Sequence, residues 1–209
     1  MMNKKSILLS VSLLSILIFV GCAPKTIKTK NLEYSNRFYL TSDTSRGSLN
    51  LVIQVEIPVK FSNKAVLDSV RSKLIASLFG DKYVSLPLDS IIPSFVADQN
   101  EDYRNNNLSM LQAANLHSYF SFNNEHILEG TALWSDENIF SYGIKRYVFM
   151  GGAHGLNTQI FMNFDLKTGK MLTENDLFIP NYKEELTKII RSRMVEENKE
   201  LADYADLNQ

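Results

Sequence analysis

The single cysteine, Cys22, and three histidines, His117, His126 and His154, are the residues of this 209-residue chain best suited to chemistry. A body without further cysteine can form no disulfide and offers no second thiolate. No two histidines lie four apart, so neither an HxxxH nor an HExxH metal pair exists. His154 lies in Gly151-Gly152-Ala153-His154-Gly155, where its ring could titrate near neutral pH or face a ligand. The reading that the pattern favours is plainer: the ring bonds backbone carbonyls and locks a turn, and Gly151, Gly152 and Gly155 supply permissive φ. The loop lacks G-x-G-x-x-G spacing and has no helix behind it, so it is not a dinucleotide fingerprint. No G-x-S-x-G elbow and no Walker loop occur. Asp98, Glu101 and Asp102 read as solvated charges in a polar stretch, since nothing sets them across a cleft as glycosidase carboxylates require. Trp134, Tyr142, Tyr147 and Phe149 could stack on sugar rings, but aromatics on strands more often build core. The expectation is a protein with no cofactor, no metal site and no catalytic constellation.

Cys22 acquires its meaning from what precedes it. Met1-Met2-Asn3-Lys4-Lys5 is a short positive segment, and Ile7 to Val20 is apolar apart from Ser10, Ser12 and Ser15. That run is shorter than the roughly 20 residues a membrane-spanning helix needs, and it fits an export signal. Phe19-Val20-Gly21-Cys22 then reads as a lipobox, with small Gly21 in the peptidase cleft and the Cys22 thiol accepting diacylglycerol; Phe19 stands where Leu is usual. Residues 1–21 are thus expected to be a lipoprotein signal peptide, with membrane attachment through lipidated Cys22. Each buried methylene contributes about 0.8 kcal/mol, so two or three acyl chains hold durably where one does not. Residues 22–34 are mostly polar with three lysines and read as a flexible tether. No acidic cluster follows Cys22, which favours the periplasm-facing side of an outer membrane. With 22 basic against 23 acidic residues, there is no basic excess to neutralise a phosphate backbone, which argues against nucleic acid as a partner.

The elements that must position any site are legible from periodicity. Leu49, Leu51, Ile53, Val55 and Ile57 alternate with more polar neighbours and predict a strand, with Phe38–Thr41 as its partner. Val66, Leu67, Val70, Leu74, Ile75, Leu78 and Phe79 predict a helix, capped by Ser62 or Asn63 and closed by Gly80. Leu86–Val96 is broken by Pro87 and Pro93 and predicts short turns, and Asp98–Asn107 a polar loop. Strands are expected around Leu116–Phe122, Ile127–Trp134, Ile139–Met150 and Ile160–Phe164, with a hairpin loop at Asp165–Lys170. A last helix, capped by Asn181 with Glu184 completing a box, carries Leu186, Ile189, Ile190 and Met194. The assembly predicted is α+β, a twisted antiparallel sheet with two main helices packed on one face.

Three motifs stand in series: Tyr147-Val148-Phe149-Met150-Gly151-Gly152-Ala153-His154-Gly155, then Asn163-Phe164-Asp165-Leu166-Lys167-Thr168-Gly169-Lys170, then Leu172-Thr173-Glu174-Asn175-Asp176-Leu177-Phe178. Together they resemble the bacterial envelope family named domain of unknown function 3298, with its N-terminal companion, domain of unknown function 4163. The motifs cover residues 147–180, and element order extends the likeness to residues 35–209. The resemblance implies a 4163-like part at residues 35–146 and a 3298-like part at 147–209, incomplete at its C-terminal end because relatives continue into further strands. Similar domains form the extracellular part of a lysozyme-sensing anti-sigma factor and the non-catalytic region of a peptidoglycan deacetylase. A lysozyme-like protein or peptidoglycan is therefore the partner the resemblance implies. The function expected is a lipid-anchored envelope module binding a protein or glycan; a peptidoglycan-acting enzyme, or an accessory domain of one, is the alternative.

Overall fold

A computed structural model describes residues 25–113 and 122–197. Cys22 with its leader, His117 and most of the strand expected at 116–122 lie outside the described residues. Six strands form one sheet in sequence order: β1 (Lys28–Tyr39), β2 (Ser48–Lys60), β3 (Asn124–Ser135), β4 (Ile139–Phe149), β5 (Leu156–Asp165) and β6 (Met171–Leu172). Between β2 and β3 come α1 (Lys64–Phe79) and α2 (Leu88–Ala113), and after β6 come a short α3 (Glu174–Leu177) and α4 (Tyr182–Glu197).

The alternation in β2 places Leu49, Leu51, Ile53, Val55 and Ile57 on one buried face. Burying each such side chain contributes about 1.5–3 kcal/mol, which makes β2 the spine of the core. β1 pairs with it antiparallel, from Lys28 opposite Lys60 to Tyr39 opposite Ser48. The expected tether therefore gives way to strand at Lys28, because Leu32, Tyr34 and Phe38 share an alternate face packed against the core. β4 runs through the expected boundary between residues 146 and 147, and a single sheet spans both predicted parts.

The sheet is mixed, a correction to the antiparallel expectation. β2 and β3 run parallel, with Leu49 opposite Asn124 and Val55 opposite Gly130. Two helices intervene between these strands, and a crossover of that length returns the chain in the same direction. α1 packs Val66, Leu67, Val70, Leu74, Ile75, Leu78 and Phe79 inward as its spacing predicts. The Asn63 side chain accepts hydrogen bonds from Ala65 N (3.0 Å) and Val66 N (3.3 Å), and Gly80, at φ 113°, donates to Ala76 O at 2.9 Å.

The second packed helix is α2, not the C-terminal one. Turns and a polar loop were expected here, yet 26 residues are helical through Pro93. Pro93 sits in the second turn, where its missing N–H leaves one intrahelical bond unmade. Ile91, Val96, Tyr103 and Leu111 are buried, with Leu88, Ile92, Phe95 and Leu108 packed beside them, and this stripe outweighs that loss. Asp98 belongs to the same helix and accepts from the Tyr83 hydroxyl and Lys82 Nζ, both at 2.6 Å, rather than being merely solvated. By contrast α4 has no buried residue, and Ile189, Ile190 and Met194 are exposed. Asn181 takes a left-handed φ of 68°, outside the extended backbone of a usual cap. A carboxylate cap occurs instead at α3, where Asp176 accepts from Thr173 N (2.8 Å) and the Thr173 hydroxyl (2.7 Å).

Candidate functional site

α1 and α2 cover one side of the sheet; among the described residues the other side is open, and strand register dictates what it presents. On β3 the open face carries Glu125, Ile127 and Glu129; on β4 it carries Lys145, Tyr147 and Phe149. These meet as direct cross-strand pairs: Glu125 with Phe149, Ile127 with Tyr147, and Glu129 with Lys145. β2 adds Asn50, Val52 and Gln54 in the same rows, and β5 adds Asn157 beside Tyr147 and Gln159 beside Lys145. Within the first row Asn50 Nδ2 donates to Glu125 Oε1 at 2.8 Å. An open hollow of about 530 Å³ lies over Ile127, Glu129, Lys145, Tyr147, Asn157 and Gln159.

The glycine-rich loop frames this hollow. Residues 151–155 join β4 to β5, with Gly151 at φ 83°. The Tyr147 ring lies against Gly155 so closely that a Cβ there would stand 2.3 Å from Tyr147 Cε2. Gly155 thus sets where the Tyr147 ring rests, a role that spacing alone does not disclose. Gly152 faces open space. His154 is exposed and makes no hydrogen bond among the described residues, so it does not lock the turn through backbone carbonyls. Of the candidate stacking aromatics, Tyr147 and Phe149 share the open face. Tyr142 is fully buried on the other side, and Trp134 stands 61% exposed where a β-bulge between Ala132 and Trp134 turns the strand outward. Beyond the last β2–β3 pair, Val55 with Gly130, the Ala132 N–H donates to Glu56 Oε2 at 3.2 Å.

His126, whose spacing forms no metal pair, has a structural setting of its own. It faces the helix layer, where its Nδ1 lies 2.9 Å from Gln99 Oε1 of α2 and therefore carries the hydrogen. Its Nε2 is buried without a hydrogen-bond partner among the described residues. Burial pushes the imidazole below its ordinary value of 6.5. The unfolded chain then binds the proton more readily than the folded one, so stability is complete above pH 6.5 and falls as pH drops from there towards the folded value. Chemical denaturation at pH 5 should give a lower midpoint than at pH 7.5, and His126→Leu should remove most of the difference. Carboxylates held low by hydrogen bonds, Asp165 and Asp176 among them, start from 3.8 and titrate below this window.

A six-stranded mixed sheet with two helices on one side and an open polar–aromatic face on the other defines an α+β protein of sheet-and-helix type. The same fold is seen in the crystal structure of a member of the DUF3298 family from Bacteroides fragilis NCTC 9343. That match has a TM-score of 0.74 at 24% identity and covers 83% of this chain and 69% of that chain. A DUF3298 family protein from Pseudomonas aeruginosa PAO1 aligns at a TM-score of 0.47 and 18% identity, over 87% of this chain and 70% of that one. No family model and no curated protein matches the sequence. The fold implied by the motif resemblance is the fold found.

Proposed function

We propose that the protein is a lipid-anchored cell-envelope module of the DUF3298 kind, and that its open sheet face binds glycan. One observation carries the reading: on that face Tyr147 and Ile127 lie between rows of amides and charged groups, Asn50 and Glu125 on one side and Gln54, Glu129, Lys145 and Gln159 on the other. Sugars present apolar ring faces edged by hydroxyls. An aromatic flanked by mixed donors and acceptors complements them, because each buried polar group then finds a partner.

Titration of soluble peptidoglycan fragments, followed by heteronuclear NMR, tests the reading. Amide shifts should cluster at Ile127, Glu129, Lys145, Tyr147 and Asn157. Tyr147→Ala should weaken binding by about tenfold, the equivalent of about 1.4 kcal/mol. Shifts that scatter over α1 and α2, or none at millimolar fragment, would refute the glycan assignment. The anchor is tested separately. Metabolic labelling with a palmitate analogue should mark the wild-type protein and be lost in Cys22→Ala; label retained by that variant rules out Cys22 as the acceptor.

A further inference from the structure

The chain enters the fold beside the β3–β4 turn. Lys25 Nζ lies 2.8 Å from Glu137 Oε1, the Ile27 N–H donates to Ser135 Oγ at 3.2 Å, and Ile27 is buried. Only Ala23 and Pro24 separate Lys25 from Cys22. Three residues of extended chain span at most about 11 Å. A lipid on Cys22 therefore holds this turn close to the bilayer surface.

The turn presents apolar groups there. Ala132 pairs with Tyr142 of the helix side, but Trp134 pairs with Ser141 of the open side. The bulge between them leaves two consecutive apolar side chains on one side of the sheet. Leu133 lies over Gly143, where an added Cβ would stand 3.2 Å from Leu133 Cδ1, and Phe161 is the cross-strand neighbour of Gly143. Among the described residues Leu133 is 53% exposed, Trp134 61% and Phe161 63%. The two acids of the turn are engaged: Glu137 by Lys25, and Asp136 by the N–H groups of Asn138 and Ile139 and by the Trp134 indole. At the same end of the sheet Lys28 stands opposite Lys60, both exposed and neither in an ion pair among the described residues. Like charges directly opposite one another repel, and anionic headgroups relieve that repulsion.

We propose that Leu133, Trp134 and Phe161 seat at the headgroup level of the anionic bilayer that holds the Cys22 lipid, a reading that rests on that anchor. Tryptophan favours this level because its ring is apolar and its N–H polar. Tethering makes the docking intramolecular, so a patch of three side chains suffices where it would not recruit a free protein. Tyr147 lies four residues beyond Gly143 on β4, about 13 Å at strand spacing, so its hollow stands clear of the lipid.

Reconstitution of the lipidated protein into phosphatidylethanolamine–phosphatidylglycerol vesicles tests the docking. Trp134 is the single tryptophan of the chain, so its fluorescence reports this surface alone. In vesicles its emission should shift to the blue, lose intensity with lipids brominated on the upper acyl chain, and resist aqueous iodide. Leu133→Asp, at an exposed position, should float with the vesicles as wild type does, yet lose the blue shift and regain quenching by iodide. Flotation reads the anchor separately. A protein that floats while Trp134 stays open to iodide overturns the docking and leaves the anchor standing; one that does not float removes both. Trp134 shielded from iodide and bromolipid alike lies under protein, which also overturns the proposal.

Discussion

Gly130→Ala should lower the melting temperature by about 10 °C, corresponding to a loss of about 3 kcal/mol. A Cβ at this position of β3 would stand 2.3 Å from the Tyr142 hydroxyl oxygen and 3.0 Å from Leu78 Cδ2. Tyr142 has nowhere to go: it is fully buried, and its hydroxyl donates to Glu56 O of β2 at 2.8 Å. The added methyl must therefore displace a buried ring or break that bond, and a buried group left unpaired costs about 1–3 kcal/mol. The companion variant shows which. Tyr142→Phe deletes the clashing oxygen and forfeits the bond, so Gly130→Ala with Tyr142→Phe should be more stable than the sum of the single losses predicts. Strict additivity would mean that the hydroxyl is not the source of the strain. Thermal denaturation of the four proteins reads the whole cycle.

The second large effect is expected at Arg146. Its side chain leaves β4 toward the helix layer, and its guanidinium donates to Ser77 O at 3.1 Å and to Leu78 O at 3.0 Å. These carbonyls belong to the last turn of α1, where backbone acceptors lack intrahelical partners and a cation is favoured by the helix dipole. Arg146→Met keeps much of the stem and removes both donors; it should cost about 2–3 kcal/mol in urea unfolding. Both bonds come from the one nitrogen Nη2, so Arg146→Lys should recover part of the loss; the remainder reflects the stronger hydration of an ammonium, which costs more to strip against these carbonyls. Amide exchange supplies a local check. Protection should fall first in the final turn of α1, and uniform loss across the sheet would contradict a role specific to that helix end.

Neither Gly130 nor Arg146 is marked by local sequence, whereas much of the framework is. β2 is legible because its apolar face repeats every second residue, and α1 because a 3.6-residue stripe is bounded by Asn63 and Gly80. The Asp165–Lys170 hairpin was also legible. Gly169 takes φ 73°, Asp165 N–H bonds Lys170 O at 2.9 Å, and the Asp165 side chain holds Lys167 N and the Thr168 hydroxyl. α2 was hidden for a physical reason. Pro93 and the polar run from Asn100 to Asn107 mask a stripe whose members, such as Val96, Tyr103 and Leu111, lie seven or eight residues apart. The reverse happened at α4, whose stripe was visible but meets no described part of the core. The open face was half legible: the strands could be found, but which aromatics share a side depends on register, and the parallel β2–β3 pairing is invisible to any short window. Tyr142 and Tyr147 lie five residues apart on one strand and therefore on opposite faces.

That parallel pairing also governs how the molecule assembles. The hairpin of β1 with β2, and the meander from β3 to β6, can each zip up from a nearby turn. Joining them requires residues 75 positions apart, such as Asn50 and Glu125, to find one another. Loop closure over such a span delays contact, and non-local strand pairing is the slow step in sheet formation. Until the halves unite, β2 presents its Leu49–Ile57 row beside an unfilled strand position. The interval before closure is thus when one nascent chain is most prone to capture another through the wrong edge.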